Sequence, residues 1–262
     1  AKNILFDYSY KYFYQDGYGK EVNILNMKEG ESRDSQQLYL TACLLSFYQQ
    51  QYLYAHNVAR LEPFKIENPL WVFVGNKVND DDSDILTIIK FLADFLDSRS
   101  KAETISWLHD FITNTSRLVD NKGNNIFLNR FTALHGKKAE VIYQDILSLF
   151  FNASSNQRLN VIRITQNTGE LRLQVGENEP FGVINVGDEK GLFDQCEKLT
   201  ESHYLNARAD EFNPSLFDTI NDDNSKTNLL IGSRKFTEGW SSWRVSTMGL
   251  LNMGKGEGSQ II

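Results

Sequence analysis

The chain has 262 residues, 41% hydrophobic and 23% charged, which suits one large α/β unit or one domain with an appendage. This composition excludes a collagen, a coiled coil and a disordered polymer. No apolar stretch approaches the roughly 20 residues of a membrane span, and no basic-then-apolar leader opens the chain, so we expect a cytoplasmic protein without a membrane partner. Cys43 and Cys196 provide neither a disulfide framework nor a paired-thiol site. The net charge is −7, yet residues 226–262 carry five basic and two acidic side chains, which is compatible with local phosphate contact.

The first segment alternates aromatic with polar residues through Phe6, Tyr8, Tyr10, Tyr12 and Tyr14. This period of two predicts a strand with one aromatic face, which either packs on the protein, the interpretation we favour, or stacks nucleic-acid bases. Residues 36–59 follow without Gly or Pro and with apolar side chains at helical spacing, which predicts a long buttressing helix. We interpret residues 1–68 as a connector region.

The chain then changes to short apolar runs that alternate with helical patterns. Pro69–Gly75 is a continuous apolar run closed by glycine, which is typical of a buried strand in a parallel sheet. Further strands are predicted at 159–164, 171–175, 181–186, 229–232 and 248–251, and helices at 85–96, 105–118, 139–151, 190–199 and 216–220. Asp188 is the expected N-cap of the helix at 190–199. The alternation predicts an α/β fold with a mostly parallel, doubly wound sheet and a helical insertion at about 101–156.

Two apparent ligand motifs fail on their required residues. The acidic run at 79–84 has the alternation of a calcium loop, but Ile85 and Phe91 stand where that loop needs Gly and Glu. We therefore interpret its carboxylates as caps of the following helix. Residues 249–256 have the spacing of a phosphate-binding loop, but Gly256 replaces the required Ser or Thr and no helical pattern follows. We interpret them as a flexible turn.

In a doubly wound sheet, ligands bind at the carboxyl ends of the strands, so the loops of interest begin at Gly75, Gly187, Gly232 and Asn252. The richest of these follows the strand at 229–232 and reads Ser-Arg-Lys-Phe-Thr-Glu-Gly-Trp. It combines a hydroxyl, two cations and a glycine amide, all of which can contact phosphate. The residues alone thus indicate a polyphosphate or nucleic-acid backbone contact.

This stretch resembles motif V of superfamily-2 helicases and translocases. The likeness is closest to the restriction (Res) subunit of type III restriction enzymes and its DEAD/DEAH-box relatives. Ser233 matches the hydroxyl position of that motif, and Glu238, Gly239 and Trp240 match its Glu-Gly-Trp core, whereas Ser241 replaces the family's aspartate.

Other segments resemble further parts of the same family. Residues 69–76, which end in Gly75 and Asn76, resemble the motif IV strand, and residues 181–188 resemble a middle strand–helix unit. Residues 6–19 resemble the connector that precedes the second motor lobe. The final residues, 259–262, resemble the approach to motif VI.

The resemblance implies a fragment: residues 69–262 as the second RecA-like lobe, truncated before motif VI, of an ATP-dependent DNA translocase or helicase. It implies no catalytic residue within the fragment, and DNA-binding or coupling roles for Ser233, Arg234, Lys235, Glu238, Gly239 and Trp240. ATP and Mg²⁺ belong to the complete protein, and we expect the isolated chain to bind neither and to be inactive as an ATPase. The implied partners are DNA, the first RecA-like lobe of the same parent chain and a methyltransferase subunit.

Two other classes of protein remain open. The first is a non-catalytic α/β module that binds protein or nucleic acid, in which the aromatic segment and the long helix dock a partner and the glycine loops are structural. The second is a small-molecule enzyme, although the chain lacks a nucleophile elbow, a dinucleotide fingerprint and histidines at metal-ligand spacing.

Overall fold

Short apolar runs form the strands of one sheet, and the longer stretches between them form the helices. The computed structural model describes residues 9–16, 33–75, 83–120, 123–166, 169–211, 214–232 and 240–251. The α-helices within these ranges are α1 (Tyr10–Gln15), α2 (Arg33–Leu61), α3 (Asp84–Leu96), α4 (Lys101–Ile112), α5 (Ala139–Leu149) and α6 (Glu189–Leu199). The strands are β1 (Leu70–Gly75), β2 (Leu159–Ile164), β3 (Glu170–Val175), β4 (Gly182–Asn185), β5 (Leu205–Asp210), β6 (Leu229–Gly232) and β7 (Val245–Leu251).

The strands of the described residues form one sheet in the order β5-β2-β3-β4-β6-β1-β7. Strand β3 is antiparallel to both of its neighbours, β2 and β4. The remaining neighbours, β5 with β2, β4 with β6, β6 with β1 and β1 with β7, are parallel. Every strand except β3 therefore runs in one direction, and the predicted α/β fold with a mostly parallel sheet is confirmed.

Strand β1 shows why its apolar run is continuous. All six of its residues are buried. Trp71 and Phe73 belong to one hydrophobic cluster, whereas Val72 and Val74 belong to a second, because successive side chains of a strand point to opposite faces. A strand covered on both faces needs apolar side chains at every position.

The connections between the strands cover both faces of the sheet. Helices α2 to α6 contribute buried side chains to the larger cluster, on the face of Trp71. The opposite face is covered by Ile220 and by the partly buried Leu216, Phe217 and Trp240, which lie in the connections that join β5, β6 and β7. Connections on both faces are the defining property of a doubly wound sheet.

Helix α2 is the predicted long helix, and it buttresses both the sheet and α5. The Phe47 ring stacks on Trp71 with centroids 5.8 Å apart. The Tyr48 hydroxyl donates to Asp145 Oδ2 at 2.8 Å, and Lys137 Nζ lies 3.1 Å from the same oxygen. No helix in the described part of the chain combines the length and apolar character that crossing a membrane requires.

The aromatic strand expected near the amino end is wrong over residues 10–15, which form α1. The backbone N–H of Asp16 donates to the carbonyl oxygen of Tyr12 at 2.9 Å, a helical bond. Successive helical residues are rotated by about 100°, so a sequence period of two does not correspond to one face of a helix. The remaining aromatic positions of that pattern, Phe6 and Tyr8, lie outside the described residues.

Three further local predictions differ from the structure. The helix expected at 216–220 is a series of turns, in which the Ile220 N–H donates to the Phe217 carbonyl oxygen three residues earlier. Helix α4 ends at Ile112 rather than at 118, and Asn114 follows it in the left-handed region (φ 62°). Strand β5 was not expected, because an edge strand of alternating small and polar residues has no apolar run.

Candidate functional site at the carboxyl edge of the sheet

The carboxyl ends of β1, β4, β6 and β7 meet at one edge of the sheet, because these strands are parallel. The strand register places Gly232 level with Val74 on one side and with Asn185 on the other. Gly75 pairs with Leu251 at the end of β7. The loops that were expected to share an edge therefore begin side by side.

Gly232 also lies at a topological switch point. The connection that leaves β4 crosses the first face as α6, and the connection that leaves β1 crosses the same face as α3 to α5. The connection that leaves β6 returns across the opposite face through Trp240. Where the connections of two neighbouring strands run to opposite faces of the sheet, a crevice forms between them. Ligands of doubly wound sheets bind in this crevice.

Two of the sequence-predicted site residues, Gly75 and Trp240, are described by the structure. The others lie outside the described residues: Asn76, Ser233, Arg234, Lys235, Glu238 and Gly239. The structure thus places both ends of the 233–239 segment, since Gly232 precedes it and Trp240 follows it.

Gly75 allows α3 to begin directly against the end of β1. A Cβ atom at residue 75 would lie 3.3 Å from Asp84 Cβ and from Ile85 Cγ1, tighter than ordinary contact. The cap of α3 is the Ser83 hydroxyl, which accepts the Leu86 N–H at 3.2 Å, and not a carboxylate as expected. Asp84 instead occupies the first helical turn, where a carboxylate interacts favourably with the positive end of the helix dipole.

The loop after β4 closes on α6. The Gly191 N–H donates to Asp188 Oδ1 at 2.9 Å, which confirms Asp188 as the N-cap. A Cβ on Gly191 would lie 2.6 Å from Asp188 Oδ2, so glycine at this position leaves room for the cap. Gly187 has open space where a Cβ would lie.

Trp240 is anchored on the second face of the sheet. Its ring stacks on Phe217 with centroids 6.3 Å apart and planes 28° apart. Both rings pack against the cluster that contains Val72 and Leu230. Trp240, the first described residue after the 233–239 segment, is therefore anchored on the second face of the sheet.

Two described carboxylates at this edge are engaged by other side chains or by backbone. Glu189 accepts from Arg163 Nη2 at 3.3 Å, and Glu170 accepts two hydrogen bonds from the 215–216 turn.

The described residues provide neither a metal site nor an activated thiol. They contain no group of three or more His, Cys, Asp or Glu side chains that could hold a metal ion. Burial raises the pKa of the Cys196 thiol to about 12, and burial likewise raises the pKa of Cys43 to about 12, so both thiols are neutral near pH 7. A thiol in this state is a poor nucleophile.

Sequence reasoning overlooked Glu170, Arg172 and Ser215, which meet beside this edge. Glu170 and Arg172 alternate on β3 and contact a turn more than forty residues further along the chain. The signal was present in two charged residues at alternate positions of a strand whose other alternate positions are Leu, Leu and Val. Their partner could not be read from the local pattern.

The fold and the arrangement of loops at the carboxyl edge of the sheet define the class of protein. It is an α/β protein with a mostly parallel, doubly wound sheet and a candidate site at the topological switch point. Comparison of the chain with protein-family models, with curated proteins and with solved structures found no match. The site and the motif resemblance are therefore the features from which a function can be proposed.

Proposed function

We propose that this chain is the second RecA-like lobe of an ATP-dependent DNA translocase or helicase of the type III restriction enzyme kind. In this proposal the 233–239 segment contacts the phosphate backbone of DNA and couples that contact to ATP hydrolysis in the complete protein. The observation that supports the proposal best is the place of Gly232, level with Val74 and Asn185 at the switch point. The segment that resembles motif V thus begins where ligands of such sheets bind.

The proposed roles follow from side-chain chemistry. Ser233 donates a hydroxyl hydrogen bond to a phosphate oxygen, and Arg234 and Lys235 supply positive charge. Gly239 permits close approach of the backbone to the nucleic acid. The Trp240 ring, stacked on Phe217, holds the end of the segment in place.

The described residues do not fit a complete site for ATP and Mg²⁺. They contain no metal-binding group, and Asp188, a carboxylate beside the crevice, is engaged in capping α6. The nucleotide and its metal would be held by the first lobe, the partner that the proposal requires. In this proposal ATP hydrolysis is a property of the complete protein and not of this chain alone.

The test is the salt dependence of DNA binding by the protein that carries both lobes. Each lost phosphate contact flattens the plot of log affinity against log salt by about 0.9 for duplex DNA, so Arg234→Ala with Lys235→Ala should flatten it by about 1.8. Affinity at low salt should also fall. Fluorescence anisotropy of a labelled duplex at four or five salt concentrations measures both quantities.

The matched control removes two cations from the opposite edge of the sheet. Lys198, at the end of α6, and Lys226, before β6, are both exposed. The double variant Lys198→Ala/Lys226→Ala carries the same charge change and should keep the wild-type slope. Equal slopes for wild type and the Arg234/Lys235 variant would contradict the phosphate role.

A second candidate function is a non-catalytic interaction module, which the amino edge of the sheet favours. Trp243 is 85% exposed shortly before β7, and Phe64 is 75% exposed shortly before β1, so both lie near the amino ends of neighbouring strands. The Arg244 guanidinium binds the Asn68 carbonyl oxygen at 2.9 Å and so holds Trp243 beside the segment that leads into β1. For this function, Arg234→Ala/Lys235→Ala has no effect on DNA binding, and Trp243→Ser removes the binding of a partner protein.

A further inference from the structure

Two charged residues of β3 point to the second face of the sheet. Glu170 is 2% exposed and Arg172 is 6% exposed, and they alternate with Leu171 and Leu173, which belong to the first-face cluster. Burial of charged groups is costly unless hydrogen bonds compensate it. The partners of these two side chains are therefore significant.

Both side chains bind one short segment of the connection between β5 and β6. Glu170 accepts from the Ser215 hydroxyl at 2.7 Å and from the Leu216 N–H at 2.8 Å. The Arg172 guanidinium donates from Nη2 to the Pro214 carbonyl oxygen. Three consecutive residues, 214–216, are thus held against β3.

The next residue continues the contact toward the candidate site. Phe217 follows Leu216 directly and stacks on Trp240. The Ser215 hydroxyl also accepts the Asp218 N–H at 3.1 Å, which fixes the turn that carries Phe217. A continuous series of contacts therefore joins Glu170 to Trp240, the residue that follows the 233–239 segment.

We infer that Glu170 is a positioning residue for Trp240, and that it acts through the 214–217 turn and the Phe217 ring. Its buried carboxylate holds the turn, the turn presents Phe217, and the Phe217 ring holds the ring of Trp240. The positioning of Trp240 by Glu170 is inferred from these contacts alone, whereas an effect of Glu170 on DNA binding rests on the proposed function.

The test is hydrogen–deuterium exchange of the full chain, read in peptides 214–220, 240–244 and 139–149. Glu170→Gln keeps the size of the side chain but removes its charge, and exchange should accelerate about tenfold in 214–220 and in 240–244. Exchange in 139–149, which forms α5, should stay unchanged. Ser215→Ala removes one hydroxyl and should give the same pattern more weakly, which provides a milder variant if Glu170→Gln folds poorly.

A second variant establishes the direction of the effect. Phe217→Leu breaks the ring stack but leaves the Glu170–Ser215 bond, so it should accelerate exchange in 240–244 and leave residues 170–175 unchanged. The matched control is Glu177→Gln, an exposed carboxylate just beyond β3 that pairs with Arg208 at 3.1 Å. It should change none of these peptides.

The inference is overturned if Glu170→Gln accelerates exchange in 214–220 alone, or equally in every peptide including α5. Failure of the proposed function is a different result. If Glu170→Gln changes exchange in 240–244 but neither it nor Arg234→Ala/Lys235→Ala changes DNA binding, the positioning role stands and the DNA role does not. If the Arg234/Lys235 variant flattens the salt slope while exchange in Glu170→Gln stays at the wild-type rate, the DNA role stands and the positioning role does not.

Discussion

The Arg244 guanidinium donates from Nε to the carbonyl oxygen of Asn68 at 2.9 Å, across 176 positions of the chain. Its Nη2 donates to the Thr227 carbonyl oxygen at 2.7 Å, and its Nη1 donates to that of Ile220. The residue is 3% exposed, and desolvation by burial lowers the pKa of its guanidinium. One side chain thus joins the segments that lead into β1, β6 and β7.

We expect Arg244→Lys to destabilise the fold almost as much as Arg244→Ala. A single ammonium cannot reach three carbonyl groups arranged around a planar guanidinium. Arg244→Ala loses three hydrogen bonds, each worth about 1.5–3 kcal/mol because the donor is charged, and part of this loss is offset because a buried charge is removed. The unfolding free energy should therefore fall by about 3 kcal/mol in urea denaturation. Arg208→Ala, which removes a half-exposed arginine, is the control and should remain close to wild type. A Lys variant as stable as wild type would show that the three bonds contribute little.

Gly249 of β7 lies directly beneath the ring of Phe73 in β1. A Cβ atom at residue 249 would lie 2.2 Å from two ring carbons, so Gly249→Ala should lower the unfolding free energy by about 1–3 kcal/mol. Gly187→Ala is the matched control, because a Cβ there meets open space.

The same site offers a rescue experiment. Phe73→Leu shortens the overlying side chain, and the double variant should lose less stability than the sum of the two single variants. Strict additivity in the double-mutant cycle would show that the ring and the glycine do not interact.

Asp97, which ends α3, should make stability depend on acid pH. Arg99 donates from Nε and Nη2 to Asp97 Oδ2 at 2.9 Å and 2.6 Å, and these hydrogen bonds hold the pKa of the carboxyl below its ordinary value of 3.8. A depressed pKa stabilises the fold above the unfolded value, and this stabilisation is lost as pH falls through the lower folded value.

Asp97→Asn should therefore be less stable than wild type at pH 7, and the difference should shrink as pH falls below about 4. Urea denaturation between pH 7 and pH 2.5 measures the change. Arg99→Ala should reproduce the same pH profile, because it removes the cause of the shift. A difference that persists unchanged at the lowest pH would contradict this assignment.

The local sequence pattern was sufficient to predict the strands and helices that bury one face or both faces. The run Pro69–Gly75, the strand at 229–232 and the helices at 84–96 and 189–199 appear where expected, because apolar periodicity reports directly which faces are covered. The cap at Asp188 was also predictable, since it acts over three residues.

Elements with weak or ambiguous periodicity depended on distant partners. The aromatic alternation at residues 10–15 suits a strand only if another strand pairs with it, and the chain forms α1 there. Residues 214–216 are bound by Glu170 and Arg172, from a strand more than forty residues earlier. A pattern of five residues is too short to predict a helix, because short helices are marginal by themselves.

The sequence by itself determined that this is an α/β protein, which runs become buried strands, and that a hydroxyl, two cations and a glycine follow the strand at 229–232. Only the tertiary structure decided that Gly232 lies between β1 and β4, and that Trp240 returns to the opposite face. The reason is physical: periodicity reports whether a side chain is covered, whereas the order of strands and the hydrogen bonds between distant segments decide what covers it.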